Sequence, residues 1–340
     1  MSNWNAEQDD RCDSVNKACS QEKDYESVAE TCRILGIRTL HRLNFQSSYW
    51  QRVFEPCARA YASGSQTPNP DLLCNREIKF GELWRWAVGQ NGADYLATGH
   101  YARIVDGMLF QARDLSKDQT YFLASVPRVA LQSTLFPVGA LNKRSEVQGS
   151  LLAEAGLNHL RDRKESMGLC FVGQQGKFSG FMSAFLDAAP EMGAVIEHGT
   201  GRLLGRHCGS ALYTVGQKVP LAEGIGKRLY VCRKDAATNT LHVVTSREHP
   251  ALYCSRLRIF PVNWLAPLTG ALEACRVYCS IRSSDKEGVL VKAVTHGHDS
   301  SLVVELEAPV FAASSGQWAV FYAEHAQSRY CVGGGPMVLD

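Results

Sequence analysis

The segment of residues 67–75, TPNPDLLCN, combines two prolines with an amide, a carboxylate and a thiol. Because proline fixes the backbone angle φ, this loop is stiff, and it directs the side chains of Asn69 and Asp71 in defined directions. Cys74 is predicted to lie just before a helix, where the helix dipole and unpaired N–H groups would stabilise its thiolate. A proline-rich turn that carries an incidental cysteine is an equally weighted alternative.

A second cysteine, Cys170, lies between two glycines in the apolar run of residues 165–173, ESMGLCFVG. Taken alone, this pattern favours a structural cysteine in the core. Together, Cys170 and Cys74 could instead form a catalytic pair, in which one thiol carries activated sulfur and the other resolves it by disulfide formation. Their spacing in sequence does not show whether they meet in space.

Two further segments carry polar groups that suit a nucleotide or RNA. Gly99 and His100 follow residues 95–98, which are predicted to form a buried strand, and ligands of open α/β sheets bind at the carboxyl ends of strands. The alternative is a glycine that ends a strand, followed by an exposed histidine. Residues 117–123, KDQTYFL, place a lysine, an amide and an aromatic ring in one turn, which suits an RNA surface. A capped helix start is the alternative there.

The elements that must position these groups alternate between helix and strand in the first half of the chain. This order favours a parallel sheet with crossover helices. The predicted elements are a helix that ends at Gly36, a β-like run over 39–45, a helix from about 50 to 63, a helix over 78–88 and the strand over 95–98.

Beyond about residue 200 the sequence becomes β-rich, with frequent glycine and short apolar runs. From about residue 256 nearly all of it reads as strand, which indicates a small barrel or sandwich. The predicted strands are 212–215, 228–233, 241–245, 289–294 and 302–306, the last of which is followed by a turn at Ala308-Pro309.

The composition is that of a globular protein without a membrane segment. The chain has 340 residues, which favours two or three domains, and its net charge of +2 does not by itself announce nucleic-acid binding. No apolar run approaches the roughly 18 residues of a membrane helix. Twelve cysteines occur without a Cys-x-x-Cys pair, so we expect no zinc site, a reducing compartment and mostly free thiols.

These segments together resemble the tRNA-specific 2-thiouridylase family. TPNPDxxCN is followed by GHYAR at residues 99–103 and by GxCFxG at residues 168–173, and the order of these motifs is highly specific. The resemblance covers nearly the whole chain. It implies an α/β catalytic domain of the PP-loop, adenine-nucleotide hydrolase-like type over residues 1–175. A small β-rich tRNA-binding domain over 176–255 and a C-terminal β-barrel over 256–340 would follow.

The resemblance also implies a sulfurtransferase reaction at C2 of the wobble uridine. ATP, with Mg²⁺, would adenylate the C2 oxygen, and Cys170 would carry sulfur as a persulfide received from a donor protein. Cys74 would help to release that sulfur and would end in a disulfide with Cys170, so the two cysteines are predicted to lie close together. Asp71 would transfer a proton. The remaining implied contacts are Asn69, Pro70 and Asp71 with the target base, Met1 and Gly99 with ATP, and His100, Lys117, Asp118, Gln119, Arg282, Ser283 and Gln317 with tRNA.

One family feature has no counterpart in these 340 residues: the Ser-Gly-Gly-x-Asp-Ser loop that cradles the ATP phosphates. The sequence therefore predicts a chain that begins about one βαβ portion late, that leaves an apolar sheet edge exposed, and that binds tRNA without binding ATP productively. The alternatives to the enzyme are a non-catalytic tRNA-binding remnant and an unrelated cysteine-based redox protein. Residues 165–168 and 249–253 resemble mitochondrial members, which predicts a mitochondrial location, or a cytoplasmic one if the source is bacterial.

Overall fold

A computed structural model describes residues 1–3, 21–161, 192–219, 228–268, 272, 275–297 and 299–339. The predictions for Cys170 and its neighbours lie outside these residues. In the described part of the chain, no helix is both long and apolar enough to cross a membrane.

Within residues 1–3 and 21–95, three helices precede the first strand, close to where the sequence predicts them. Helix α1 ends before Gly36, whose φ of +69° suits glycine. Helix α2 covers residues 46–62 and helix α3 residues 70–90, each as consecutive segments with partly π-type hydrogen bonding. The segments are Gln21–Ile34 for α1, then Gln46–Tyr49, Trp50–Phe54 and Glu55–Ala62 for α2, and Pro70–Leu73, Cys74–Leu83 and Arg85–Gln90 for α3.

The β-like run over residues 39–45 does not form a strand. Within it, Asn44 makes an isolated parallel bridge with Ser2, and the run is mostly exposed. The prediction was wrong because alternating apolar residues need a neighbouring strand to pair with.

A two-stranded parallel sheet joins β1 (Leu96–Ala97) to β4 (Thr134–Leu135), and the connection between them carries the predicted crossover. The prediction of a buried strand over 95–98 is wrong, because Tyr95 is 56% exposed and Ala97 is exposed. Among the described residues β1 pairs with β4 alone, so too little packs on it to bury both faces. Tyr95, which precedes β1, and Leu135 of β4 are exposed apolar side chains at this sheet.

The crossover contains a β-hairpin and two short helices. The hairpin pairs β2 with β3 antiparallel, and β3 continues into a nine-stranded sheet that contains the C-terminal strands. A further helix, α6, follows β4 over residues 143–154. The bounds are Ala102–Val105 for β2, Met108–Gln111 for β3, Thr120–Leu123 for α4, Arg128–Gln132 for α5, and Lys143–Leu151 with Leu152–Glu154 for α6.

A five-stranded sheet of order β6-β5-β9-β8-β7 confirms the predicted strands over 228–233 and 241–245. Residues 212–215 are not a strand, because Ser210–Leu212 forms a 3₁₀ turn in which the N–H of Leu212 bonds to the carbonyl of Gly209. The bounds are Gly193–Glu197 for β5, Leu203–His207 for β6, Lys218–Val219 for β7, Leu229–Asp235 for β8 and Thr240–Val244 for β9.

The nine-stranded sheet has the order β10-β14-β13-β12-β15-β16-β3-β2, and β11 pairs with β16. The predicted turn at Ala308-Pro309 is wrong, because β14 runs through it. Its pairing with β10 shifts register there, and such an irregularity tolerates proline in a strand. The bounds are Tyr253–Ile259 for β10, Asn263–Trp264 for β11, Val277–Ser280 for β12, Val289–His296 for β13, Leu302–Phe311 for β14, Trp318–His325 for β15 and Ser328–Pro336 for β16.

One apolar core is shared between the two ends of the chain. Leu72 and Phe80 of α3 and Leu123 of α4 belong to the same buried cluster as Trp318 and Tyr322 of β15. Because protein interiors are close-packed, α3 and the barrel hold each other in fixed positions. The loop before α3 is therefore anchored to the barrel.

Candidate active site

The Asn-Pro-Asp loop is built into the start of helix α3. The Asn69 Oδ1 accepts a hydrogen bond from the backbone N–H of Asp71 at 3.0 Å, and Pro70 is the first helical residue. The asparagine side chain accepts a hydrogen bond from a first-turn N–H that would otherwise be unpaired, and proline has no N–H to leave unpaired. An asparagine cap followed by proline is therefore a strong helix start. The loop is therefore rigid, as its sequence predicts.

Cys74 lies inside this helix and not before it. Its backbone N–H bonds to the carbonyl of Pro70, one turn earlier, and the residue is buried. The predicted position at a helix N-terminus is wrong, because the helix already begins at the Asn69 cap. In this structure it is Asp71 that lies in the first turn of the helix.

The loop is fastened to the C-terminal barrel just before α3. The backbone N–H of Thr67 donates to the carbonyl of Ser315 at 2.7 Å. Gly316 has a φ of +83°, and a Cβ at this position would lie 3.0 Å from the Thr67 nitrogen. Gln317 closes the same turn, since its Oε1 accepts from the N–H of Ser314 at 3.2 Å. The structure thus brings Gln317 near the loop that carries Asn69.

Asp71 lies among buried titratable side chains. Burial raises the pKa of Asp71, and the charge of Lys79 lowers it. Across from it on α2, burial and the Asp71 charge raise the pKa of the Cys57 thiol to about 12. Burial and Cys57 raise the pKa of Tyr61 to about 12 as well. Cys57 and Tyr61 are therefore protonated at neutral pH, which keeps negative charge away from Asp71.

Sequence reasoning missed Cys57 and Lys79. Cys57 follows Val53 and Phe54 at helical spacing, and that spacing is the signal that it faces the interior. Lys79 is separated from Asp71 by about two helical turns of α3, which brings the two side chains to one side of the helix. The partnership of each with Asp71 depends on the tertiary structure.

Gly99 and His100 follow β1 as predicted, and they differ in exposure to solvent. Gly99 is exposed, and a Cβ there would meet no atom within 4 Å, so a ligand has open access to its backbone. His100 is only 8% exposed, so the alternative of an exposed histidine is wrong. Its ring packs against Phe80 and Phe136 with centroid distances of 5.6 Å and 6.1 Å.

The turn of residues 117–119 is held by its own side chains. The Asp118 carboxylate accepts from the N–H of Ala112 at 2.8 Å and from the Thr120 hydroxyl at 2.7 Å. Gln119 Oε1 accepts from the N–H of Tyr101 at 2.9 Å. Both side chains are thus engaged within the protein, whereas Lys117 is half-buried. Helix α4 follows, and the Asp118 carboxylate accepts hydrogen bonds from the hydroxyl and the backbone N–H of Thr120, its first residue, as the capped-helix alternative predicts.

The same turn contacts the barrel through Tyr121 and Lys286. The Tyr121 hydroxyl donates to the carbonyl of Trp318 at 2.9 Å, and Lys286 Nζ donates to the carbonyl of Asp118 at 2.9 Å. Arg282 donates to the carbonyls of Phe311 and Ala312 at 2.7 Å and 2.6 Å.

Most of the predicted site residues therefore form one connected region. Loop 67–71 and the turn of residues 117–119 both bond to loops of the C-terminal barrel, and these loops contain Arg282, the half-buried Ser283 and Gln317. Met1 is half-exposed beside the Ser2 bridge and is not among these contacts. Cys170 lies outside the described residues, so its proximity to Cys74 stays a prediction.

Three family models match consecutive parts of the chain. They are the tRNA methyl transferase HUP domain over residues 1–174, the tRNA methyl transferase PRC-barrel domain over 179–245 and the aminomethyltransferase beta-barrel domain over 254–337. An α/β domain of HUP type followed by two β domains defines the class, and it agrees with the fold predicted from the sequence.

Within this class, the chain belongs to the tRNA-specific 2-thiouridylase family. It is 35% identical to the mitochondrial tRNA-specific 2-thiouridylase 1 of Drosophila melanogaster, over 96% of this chain and 84% of the fly protein. It is 33% identical to the human protein of the same name, over 99% and 83%. It is 37% identical to the tRNA-specific 2-thiouridylase MnmA of Legionella pneumophila strain Lens, over 98% and 89%.

Proposed function

We propose that this protein is a sulfurtransferase that thiolates C2 of the wobble uridine of tRNA. The observation that carries the proposal is the fastening of the rigid Asn-Pro-Asp loop to the barrel turn that holds Gln317, with Cys74 one helical turn beyond. A substrate base gripped by this loop would face a carboxylate and a thiol held in fixed positions. Such prior ordering of reacting groups is a main source of catalytic rate.

Each group of this site has a role in the proposed reaction. Asn69 and Pro70 shape the loop that receives the flipped base, and a base must leave its stack before its C2 atom is reachable. Asp71 exchanges a proton with the base or the incoming sulfur. Cys170 carries a persulfide received from a donor protein, and Cys74 attacks that persulfide to release the sulfur and form a disulfide.

A surface for tRNA is proposed across both ends of the chain. It comprises His100, Lys117, Asp118, Gln119, Arg282, Ser283 and Gln317. The domain boundaries are proposed near residues 175 and 255. Lys117 supplies the positive charge of its turn, and cationic side chains are common partners of RNA phosphate. The relatives with mitochondrial names support a mitochondrial location.

ATP, with Mg²⁺, would supply an adenylate leaving group at C2. The described residues fit one side of this nucleotide only. Gly99 offers open backbone access at the carboxyl end of β1, and Met1 is half-exposed. No segment of the 340 residues matches the Ser-Gly-Gly-x-Asp-Ser phosphate loop. We therefore derive no step through ATP and assign to this chain the handling of base, sulfur and tRNA.

The test measures thiolation, ATP turnover and tRNA binding on the same preparations. Unmodified tRNA is incubated with ATP, Mg²⁺ and a persulfide donor, and thiolated product is separated on a mercury-containing gel. In a version of the protein completed with the phosphate loop, we expect product with the wild-type cysteines and with Cys208→Ser, whose thiol is exposed and lies outside this site. Cys170→Ser and Cys74→Ser should give none, although tRNA binding changes by less than about twofold, since RNA affinity comes mainly from phosphate contacts.

Two results would contradict the proposal. Wild-type rates of thiolation by Cys170→Ser would remove the persulfide assignment. Binding of tRNA by the completed protein without any thiolation or ATP turnover would favour the tRNA-binding remnant as the function.

A further inference from the structure

The aromatic ring of Phe311, at the end of β14, is in contact with two arginine side chains. The guanidinium carbon Cζ of Arg247 lies 4.8 Å from the ring centroid, and that of Arg282 lies 5.9 Å from it. Tyr253 of β10 packs against the same ring in a T-shaped arrangement, with 5.4 Å between the centroids. An aromatic ring attracts a cation within about 6 Å of its centroid, so this half-buried ring keeps two positive charges together.

Arg282 is held in place by the backbone at the end of β14. Its Nη1 donates to the carbonyl of Phe311 at 2.7 Å, and its Nη2 donates to the carbonyl of Ala312 at 2.6 Å. A guanidinium group has five N–H donors, so these two bonds leave three donors for a ligand. Because Arg282 is already fixed, it loses little conformational freedom when it binds one.

No carboxylate forms an ion pair with Arg247 or Arg282 within the part of the chain that the structure describes. The acidic groups whose charges act on them are Glu248, for Arg247, and Asp285, for Arg282. Each of these carboxylates already accepts a hydrogen bond from another residue. Two like charges on one ring repel each other, so an anion bound between the two guanidinium groups would lower the electrostatic energy.

The two arginines lie where the five-stranded sheet, the barrel and the Asn-Pro-Asp loop meet. A Cβ at Gly216 would lie 2.5 Å from the Ala312 Cβ and 3.1 Å from Phe311 Cε1, so the turn before β7 packs closely on the end of β14. Three residues lead from Ala312 to Ser315, whose carbonyl accepts from the N–H of Thr67. Three residues of chain span at most about 11 Å, so the arginines lie close to the loop.

We propose that Arg247 and Arg282 together bind one backbone phosphate of the tRNA, beside the nucleotide that enters the Asn-Pro-Asp loop. The inference rests on the proposed function for the identity of the RNA, and it adds Arg247, an exposed residue in the connection between β9 and β10. The guanidinium fork matches the oxygens of a phosphate. Phosphate contacts fix the register of a nucleic acid without reading its sequence, so this contact sets where the target base lies.

The first measurement is the salt dependence of tRNA binding by the 340-residue chain. An unmodified tRNA transcript is titrated with protein at several salt concentrations and followed by gel shift. We expect Arg247→Gln to weaken binding about three- to fivefold at low salt, the upper range for an exposed ion pair. The slope of log Kd against log salt concentration should fall by about 0.7 to 1, as expected for the loss of one phosphate contact.

Three further variants separate a bound phosphate from general attraction by charge. Arg38→Gln removes an equal charge from an exposed position after α1, and it should change neither the affinity nor the slope. Arg247→Lys keeps the charge without the fork, and it should restore the slope and part of the affinity. Adding Arg282→Gln to Arg247→Gln should cost less affinity than Arg282→Gln costs alone, because both residues bind the same phosphate. Urea unfolding checks that the Arg282 variants fold, and the exposed Arg247 carries the test by itself.

The outcomes are distinct for the inference and for the proposed function. An unchanged affinity and slope in Arg247→Gln would overturn the inference, even if the completed protein thiolates tRNA. An equal loss in Arg38→Gln would overturn it as well, since only net charge would then matter. Normal tRNA binding by Arg247→Gln, with thiolation lost only when a donor protein supplies the persulfide, would assign the two arginines to that protein instead. A reduced slope in Arg247→Gln, with a completed protein that never thiolates tRNA, would support the phosphate contact and refute the proposed function.

Discussion

Replacement of Gly316 by alanine should separate the Asn-Pro-Asp loop from the barrel. Gly316 adopts a φ of +83°, and a new Cβ would lie 3.0 Å from the Thr67 nitrogen and 3.2 Å from Gln66 Cβ. These distances are shorter than ordinary contacts, so the loop must move by a few tenths of an ångström. That movement weakens the 2.7 Å hydrogen bond from the Thr67 N–H to the carbonyl of Ser315.

The expected loss has two parts. A side chain in left-handed backbone conformation costs about 1 kcal/mol or somewhat more. Loss of the Thr67–Ser315 hydrogen bond costs about 1 kcal/mol in addition. Gly199→Ala is the matched control, because Gly199 has a φ of +84° and its Cβ would meet no atom within 4 Å. Gly199→Ala therefore has the unfavourable left-handed backbone conformation without a steric clash of the new Cβ.

The assay compares urea unfolding and thiolation rate for the two variants. We expect Gly316→Ala to lose about 2 kcal/mol of unfolding free energy and Gly199→Ala about 1 kcal/mol. Thiolation should fall on the order of tenfold in Gly316→Ala alone, since a displacement of about 1 Å at a reacting group costs about 100-fold. Equal behaviour of the two variants in both assays would refute the claim that this contact holds the loop.

Three other substitutions test the contacts around the site and in the five-stranded sheet. Burial raises the pKa of Asp118, so its carboxyl favours folding most when it is protonated. The unfolding free energy of the wild type, relative to that of Asp118→Asn, should therefore fall as pH rises from about 4 to 7. A difference that does not depend on pH would contradict this. Burial lowers the pKa of His207, whose Nδ1 accepts a hydrogen bond from the N–H of Gly209. The wild type should therefore lose stability as pH falls below about 6.5. His207→Asn keeps an acceptor that does not titrate, so its thermal unfolding temperature should fall less between pH 7.5 and 5.5. Tyr121→Phe removes the donor to the Trp318 carbonyl and should cost about 1 kcal/mol in urea unfolding, whereas an unchanged midpoint would mean that this contact adds no stability.

Local signals in the sequence predict where a helix ends more accurately than where it begins. Gly36 ends helix α1 where the sequence predicts, because a positive φ after the last turn is a local requirement. The start of α3 was placed too late, although an asparagine before a proline is itself a cap signal. The predicted position of Cys74 is wrong for the same reason, since the helix already begins at the Asn69 cap.

Burial and long-range pairing could not be derived from the sequence. Residues 95–98 are apolar, yet their exposure depends on which strands lie beside them. The pairing of β3 with β16 joins segments from opposite halves of the chain, and no local pattern in either segment specifies its partner. Nothing in the sequence pairs His100 with Lys79, and the structure places Lys79 Nζ 3.4 Å from His100 Nε2.

The hairpin β2–β3 lies at the end of the barrel sheet, so this early part of the chain can complete its fold only after the last strands have been synthesised. Arg103 of β2 donates to the hydroxyl of Ser328, 225 positions later in the chain. While the ribosome synthesises the intervening residues, the outer edge of β3 has no partner strand and stays open to association with other chains. A premature stop codon shortly before Ser328 would therefore harm the first half of the protein, since the hairpin next to Tyr101 and His100 would lose the strand that completes its sheet.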